Sequence, residues 1–365
     1  MEDSAAHKDI SYIVKVTNNC NMGCQYCYYR HNRSKSPENR MRPEVLERTI
    51  ASMLDYNTDY ANFIWHGGEP LLMGRPFYES IVEIQKGYLR ETGKEIIITN
   101  CIQTNGVLLD DEWIDFFVEN DFNVSISLDG FFDLHSMNRG TNREAFDAIM
   151  ANIARLSERG VPFSVLTVVT KETIGQEEEL FDFFADYDIS SFGFLPMNYG
   201  DEEDSLSPDD YGAFLKRFFE LWITKGKMNI SIREFDEFMR GYLGQEQRLC
   251  HHTDLCDCYF TVTPTGDLYP CDCFPQNEQT KLGNVFGSIA DAHEANRRFF
   301  AKSHGMPVGC KGCEFAHICN GGCRYHRWLK DEEYGQKQYY CESYRALYGE
   351  IAACLSVGSE SQQSG

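Results

Sequence analysis

The stretch Cys20-Asn-Met-Gly-Cys24-Gln-Tyr-Cys27 decides how the rest of the chain is read. Its three cysteines are spaced C-x3-C-x2-C. Three thiolates can hold three irons of a [4Fe–4S] cube and leave the fourth iron without a protein ligand. An iron with an open site does chemistry on what it binds, whereas a fully ligated cluster stores or relays electrons. The flanking sequence has to support that reading.

Immediately before the loop, residues 11–17 (Ser-Tyr-Ile-Val-Lys-Val-Thr) read as a β-strand that delivers it. After it come a polar segment, 31–40, and a helix over 43–54 with Pro43 near its first position. Strands are expected at 62–65, 95–103, 123–128, 161–169 and 191–195, and helices at 77–90, 111–119, 143–158 and 177–185. Such alternation predicts a parallel sheet with covering helices. In barrel-like α/β folds, chemistry collects at the C-terminal ends of the strands. The cysteine loop, His66-Gly67-Gly68-Glu69-Pro70, Gln103-Thr-Asn-Gly and Ser127-Leu-Asp129 all fall at strand ends.

Composition narrows the class. The 365 residues are 42% hydrophobic and 25% charged, enough for one large α/β domain and a smaller one. No run of about 18 apolar residues exists and the N-terminus lacks a signal-peptide core, so a cytoplasmic protein with no membrane segment is expected. Fifteen cysteines in a reducing compartment argue for metal ligation over disulfides. A formal charge of −22 with no basic stretch argues against a nucleic-acid partner.

Beyond about residue 200 the character changes. An acidic link, 201–210, leads to helices at 211–224 and 233–243, and from Cys250 to Cys341 the chain is rich in cysteines and turns. Thr263-Pro-Thr-Gly-Asp267 makes a hairpin turn. The small, polar tail 356–365 reads as disordered.

Together these motifs resemble the radical S-adenosylmethionine (SAM) family, and the C-terminal cysteines resemble its SPASM domain. The resemblance covers roughly residues 11–345. It implies a partial (β/α)6 TIM-like barrel over 11–225, preceded by a tail over 1–10. A linker helix over 226–249 and a SPASM domain over 250–345 follow, then a helix end and flexible tail over 346–365. It also implies three [4Fe–4S] clusters and SAM as cofactors, with Cys20, Cys24 and Cys27 on the radical-forming cluster. Gly67, Gly68 and Glu69 would hold the SAM amino group by backbone and carboxylate, and Ser127 would meet the ribose. Arg139 would pair with the SAM carboxylate, with Gln103 and Leu195 as further contacts.

Position by position, one auxiliary cluster would take Cys250, Cys256, Cys271 and Cys323, and the other Cys310, Cys313, Cys319 and Cys341. A zinc ribbon is the competing reading of Cys310-x2-Cys313, but the x5 and x3 spacings that follow fit paired zinc ligands poorly. Cys258 and Cys273 each follow a proposed ligand by two residues, and Cys258 could replace Cys256. Cys101 and Cys354 read as buried small residues.

The branch resembled most is the anaerobic sulfatase-maturating enzymes and their peptide-maturase relatives. In those enzymes the first cluster and SAM generate a 5′-deoxyadenosyl radical that abstracts hydrogen from a substrate carbon. Asp272, after Tyr269-Pro-Cys271, holds the place of the proposed base, and Tyr29 that of a tyrosine near the substrate. His66 stands where the sulfatase maturases have glutamine and crosslinking relatives often have histidine. The expected function is therefore oxidation or intramolecular crosslinking (cyclophane or thioether) of a ribosomally made peptide. Formylglycine formation at a sulfatase Cys or Ser is the alternative. Partners would be the substrate and a reductant such as flavodoxin or ferredoxin.

Overall fold

The computed structural model describes residues 9–27, 39–198, 205–253, 255–330, 333 and 335–362, with side chains through 355. Tyr29, residues 31–38 of the polar segment and residues 201–204 of the acidic link lie outside the described residues.

Ten strands form one sheet: β1 (Ser11–Thr17), β2 (Tyr60–Gly67), β3 (Ile97–Thr104), β4 (Phe122–Ser127), β5 (Phe163–Val169), β6 (Ser191–Pro196), β7 (Ser231–Ile232), β8 (Tyr259–Val262), β9 (Asp267–Tyr269) and β10 (Gly283–Asn284). Their order is β10-β9-β8-β1-β2-β3-β4-β5-β6-β7. From β8 through β7 all neighbours are parallel; β8–β9 and β9–β10 are antiparallel.

Twelve helices accompany them: α1 (Pro43–Tyr56), α2 (Arg75–Thr92), α3 (Asp111–Glu119), α4 (Phe132–Arg139), α5 (Arg143–Glu158), α6 (Glu177–Asp186), α7 (Pro208–Thr224), α8 (Arg233–Tyr242), α9 (Ile289–Phe300), α10 (Ala316–Cys319), α11 (Arg324–Trp328) and α12 (Cys341–Gln362). The α/β reading of the first half holds, with boundaries shifted by a few residues. The sequence reading lacked α4, and it took the chain past 356 as disordered where α12 continues.

Alternation sorts each strand's residues between two faces. Tyr12, Val14, Ala61, Phe63, Trp65, Ile102, Val124 and Ile126 are buried in the main core. The opposite face of the same strands carries Lys15, His66, Gln103 and Ser127. Lys15 lies opposite His66 in the parallel register. The apolar face buries the helices, so the polar face and the strand ends remain for chemistry.

The C-terminal region is not a separate sheet. Its strand β8 continues the barrel sheet at β1, with Ser11 opposite Tyr259 and Val14 opposite Val262. At the other side α12 packs on α7. Ser343 Oγ donates to the Pro208 carbonyl at 2.5 Å, and Tyr340 Oη donates to the Met197 and Leu206 carbonyls, both at 3.1 Å.

Candidate active site and cluster positions

The cysteine loop leaves β1 and is tied down from two sides. Gly68 N donates to Thr17 O at 2.7 Å and Glu69 N to Asn19 O at 2.8 Å. On the other side, Gln25 N donates to Asn138 O of α4 at 2.8 Å. These contacts need glycine. A Cβ on Gly67, whose φ is +145°, would lie 2.3 Å from Thr17 O, and one on Gly68 would lie 2.2 Å from Asn19 O. The Gly-Gly pair is thus the place where the end of β2 presses backbone to backbone on the cluster loop.

Glu69 is fully buried. Oε1 accepts from Leu71 N at 3.0 Å and Thr104 Oγ1 at 2.7 Å, and Oε2 accepts from Asn105 N at 2.8 Å. Burial nevertheless raises its carboxyl to about 7. Three internal donors already engage it, and it knits the end of β2 to the end of β3. Among the described residues Oε2 accepts from one donor alone, so the carboxylate keeps an acceptor site beside the Gly67–Gly68 backbone.

A second knot joins β4 to the loop. Asp129 Oδ1 accepts from Arg139 Nη2 at 2.8 Å and Val168 N at 3.1 Å, and Oδ2 accepts from Tyr26 Oη at 2.7 Å. The Arg139 guanidinium also lies 5.4 Å from the centre of the Tyr26 ring. Burial alone would lower the arginine's basicity; the charges of Asp129, Tyr26 and Cys24 outweigh it and hold the guanidinium protonated. Arg139 Nε is buried with no hydrogen-bond partner among the described residues. An unmet guanidinium donor near Cys24 fits a carboxylate-bearing ligand at the open iron, as SAM requires. Nearby, Gln103 Nε2 donates to Ser127 Oγ at 2.9 Å, and Leu195 is 40% exposed at the end of β6.

The third constellation spans the two halves of the chain. Lys15, fully buried in β1, donates from Nζ to Asp272 Oδ2 at 2.7 Å, and Nζ stands 3.4 Å from His66 Nδ1. Gly67 N donates to the same Nδ1 at 2.7 Å. Burial, then the Lys15 charge, lower His66 to about 4, so the ring is neutral at pH 7. With Nδ1 accepting, the hydrogen-bond pattern assigns the ring proton to Nε2. Sequence reasoning missed Lys15, Tyr26 and Asp129, although Asp129 was quoted as part of a strand-end motif.

The C-terminal cysteines gather in two places, and Cys273 shares one of them with Cys271. Cys310, Cys313, Cys319 and Cys341 line one small cavity, walled by Phe315, Tyr344 and Tyr348. Burial pushes the Cys319 thiol up to about 12, and Cys341, Cys310 and Cys313 add to it. Burial likewise pushes Cys256 well up and Cys323 to about 12, and Cys250 and Cys271 raise both further. Thiols that raise one another in this way are held close, as ligands of one cluster must be. A cavity with four convergent thiols fits a closed cube. Gln338 links the groups: Nε2 is 3.7 Å from Cys319 Sγ, and Oε1 accepts from Cys323 N at 3.1 Å. Cys273 N donates to Cys271 Sγ at 3.5 Å. Cys258 points elsewhere, toward Asp257 and His293. Cys354 is exposed and Cys101 half-buried, which corrects the expectation that both are buried.

A model of the radical SAM superfamily matches residues 14–184. The cysteine-type anaerobic sulfatase-maturating enzyme of Clostridium perfringens (strain 13) is 32% identical, over 93% of this chain and 95% of its own length. The chain belongs to the anaerobic sulfatase-maturase family of radical SAM proteins. Its cofactors are therefore [4Fe–4S] clusters and SAM, and it is an enzyme that modifies protein. The serine-type maturase of Bacteroides thetaiotaomicron is 31% identical, over 91% of this chain and 87% of its own length. A solved structure described as native anSMEcpe with bound AdoMet superimposes with a TM-score of 0.85 at 30% identity, covering 96% of this chain and 99% of that one.

These whole-length matches overturn the expectation of a crosslinked peptide product. That expectation rested on His66 alone, one residue against a likeness that runs the length of the maturase fold. Among the described residues, no helix is long and apolar enough to cross a membrane.

Proposed function

We propose that this maturase-family protein converts a cysteine or serine side chain of a sulfatase-type substrate into formylglycine. The observation that carries the reading is the end-to-end likeness to cysteine-type and serine-type sulfatase maturases at nearly equal identity. When bound, reduced cluster and SAM supply the radical that removes hydrogen from the substrate side chain, and the closed clusters accept the electron released afterwards.

The chain's own residues then divide the work. Cys20, Cys24 and Cys27 hold the radical-forming cluster. The Gly67–Gly68 backbone, Glu69, Arg139, Gln103, Ser127 and Leu195 hold SAM. Asp272 takes the proton from the substrate thiol or hydroxyl as a general base; serine then gives the aldehyde directly, whereas the thioaldehyde from cysteine is hydrolysed by water, which supplies the oxygen and releases the sulfur as hydrogen sulfide. Lys15 grips Asp272 Oδ2 and orients that carboxylate. Neutral His66 offers its Nε2–H to the substrate. Cys250, Cys256, Cys271 and Cys323 hold one auxiliary cluster, and Cys310, Cys313, Cys319 and Cys341 the other. A cytoplasmic flavodoxin or ferredoxin is the electron source.

The test is anaerobic incubation of the reduced holoenzyme with SAM and a peptide carrying a sulfatase Cys or Ser motif. The product is read by mass spectrometry and by hydrazide capture. A hydrazide-reactive aldehyde at that residue is expected. SAM consumption with the motif residue unchanged would sink the proposal.

A further inference from the structure

Asp257, Cys258 and His293 form a buried cluster that the cofactor sites do not use. They are 4%, 5% and 6% exposed. One ligand atom from each lies within 4.8 Å of the others. Asp257 and Cys258 belong to a 3₁₀ turn, Cys256–Cys258, that runs directly into β8; His293 comes from α9.

The arrangement is braced from both sides. Asn296, one turn beyond His293 and fully buried, donates from Nδ2 to the Asp257 carbonyl at 2.9 Å and the Tyr259 carbonyl at 3.0 Å. That clamp fixes the turn against α9. His293 Nδ1 is held by the Tyr56 hydroxyl at 2.5 Å, with the rings edge-on at 87°. Fixing one ring nitrogen through a polar neighbour is how proteins orient a histidine whose other nitrogen serves a metal.

Charge gives the second line of argument. A buried carboxylate is costly unless it is paired or bound to a cation. Among the described residues no cationic side chain makes an ion pair with Asp257, and the Cys258 thiol stands 3.8 Å from its Oδ1. A divalent ion bound by carboxylate, thiolate and neutral imidazole leaves a site with no net charge. Mixed S, N and O donors on one centre suit zinc. They do not suit a cube, whose protein ligands are thiolates placed around four corners. Zinc holds its donors at about 2.0–2.3 Å, so a modest inward movement of the three side chains completes the shell, with water in the fourth position.

We propose that Asp257, Cys258 and His293 bind a single zinc ion that pins α9 to the entry of β8, beside α1 of the barrel. The measurement uses holoenzyme made in iron- and zinc-replete medium and purified without air. Metals are counted by mass spectrometry, and the zinc shell is read by X-ray absorption. About one zinc per chain is expected beside the full iron complement, with one sulfur at about 2.3 Å and nitrogen or oxygen at about 2.0–2.1 Å. Cys258→Ala and His293→Ala should each cut zinc at least about tenfold while iron stays unchanged. If either fails to fold, Asp257→Asn keeps the shape of the site and should still lower zinc about tenfold. Wild-type protein with full iron and no zinc overturns the proposal. So does a shell made only of sulfur, which would place the zinc in a cysteine cluster site, and so does zinc that survives these substitutions.

Discussion

At the scale of single residues, Lys15 is the side chain that sequence could not interpret. In Ser-Tyr-Ile-Val-Lys-Val-Thr it reads as an ordinary polar position on a strand. Its partner, Asp272, lies 257 residues away, so no local pattern announces the pair. A fully buried ammonium needs that carboxylate, and removing one member of a buried pair costs about 3–5 kcal/mol. Lys15→Met should therefore lower the unfolding midpoint by several degrees. With Asp272 as the base proposed above, aldehyde formation should fall at least about tenfold while SAM cleavage continues, because its displacement affects only the later step. The ratio of 5′-deoxyadenosine to aldehyde reads this directly, and an unchanged ratio would remove Lys15 from the site. The double variant Lys15→Met/Asp272→Asn should recover part of the stability and none of the product. Buried histidines set the pH response. His66 is lowered to about 4 and His135 to about 3, chiefly by desolvation. Between the unfolded value near 6.5 and these folded values, the unfolded chain binds more protons, so stability falls as pH drops through that window. Glu69, raised to about 7, acts in the opposite sense between its unfolded value near 4.5 and about 7. Two histidines outweigh one carboxyl, so a net loss of stability on acidification from pH 6.5 to 4 is expected. Equilibrium unfolding across that range should show His135→Gln flattening the loss; an unaltered slope would contradict the assignment.

At the scale of elements, the Gly67–Gly68 turn was legible as a motif, yet its physical reason was not. The spacing pointed to a cofactor contact. The structure adds that both glycines are needed because strand end and cluster loop meet with no room for a Cβ. Gly68→Ala should push the loop off its anchor at Asn19 and loosen Cys20–Cys27 as a unit. Iron should then fall by about four of the roughly twelve atoms that three cubes contain, with the auxiliary clusters intact. Iron analysis with Mössbauer spectroscopy checks this, and a full complement with normal SAM cleavage would show that the close approach is dispensable. Helix α4 shows the opposite limit. Phe132-Asp-Leu-His-Ser-Met-Asn-Arg139 is eight residues long, has no side-chain cap and ends at a left-handed Gly140, so its periodicity is too short to register. It still supplies Arg139 and the Asn138 carbonyl that holds Gln25. The motif exposed the arginine; only the fold exposes its carboxylate partner, Asp129.

At the scale of the whole molecule, the division at about residue 250 is real in composition and absent from the sheet. Cysteine density marks a second region, but periodicity cannot show that β8 pairs in parallel with β1, because partner choice is a long-range property. The pairing has a functional consequence. The β8–β9 hairpin extends the barrel sheet at the strand that delivers the cysteine loop, and the turn after β9 brings Asp272 onto Lys15. Asp272, the cysteine loop and Cys271 are thus fixed to a single edge of the barrel. On the far side, Tyr340 and Ser343 anchor α12 to the segments around α7. A chain cut after residue 249 would expose the whole edge of β1, a strand rich in Ile and Val whose backbone groups normally pair with β8. Unpaired apolar edges of this kind seek other chains. The truncated protein should aggregate when made alone, whereas the intact apoprotein should unfold in one transition by both far-UV and aromatic signals. A soluble, monomeric 1–249 fragment that bound about four irons and cleaved SAM would show that the barrel stands without its C-terminal strands. The continuous sheet predicts the reverse, because the position of Asp272 depends on the same hydrogen bonds that close the β1 edge.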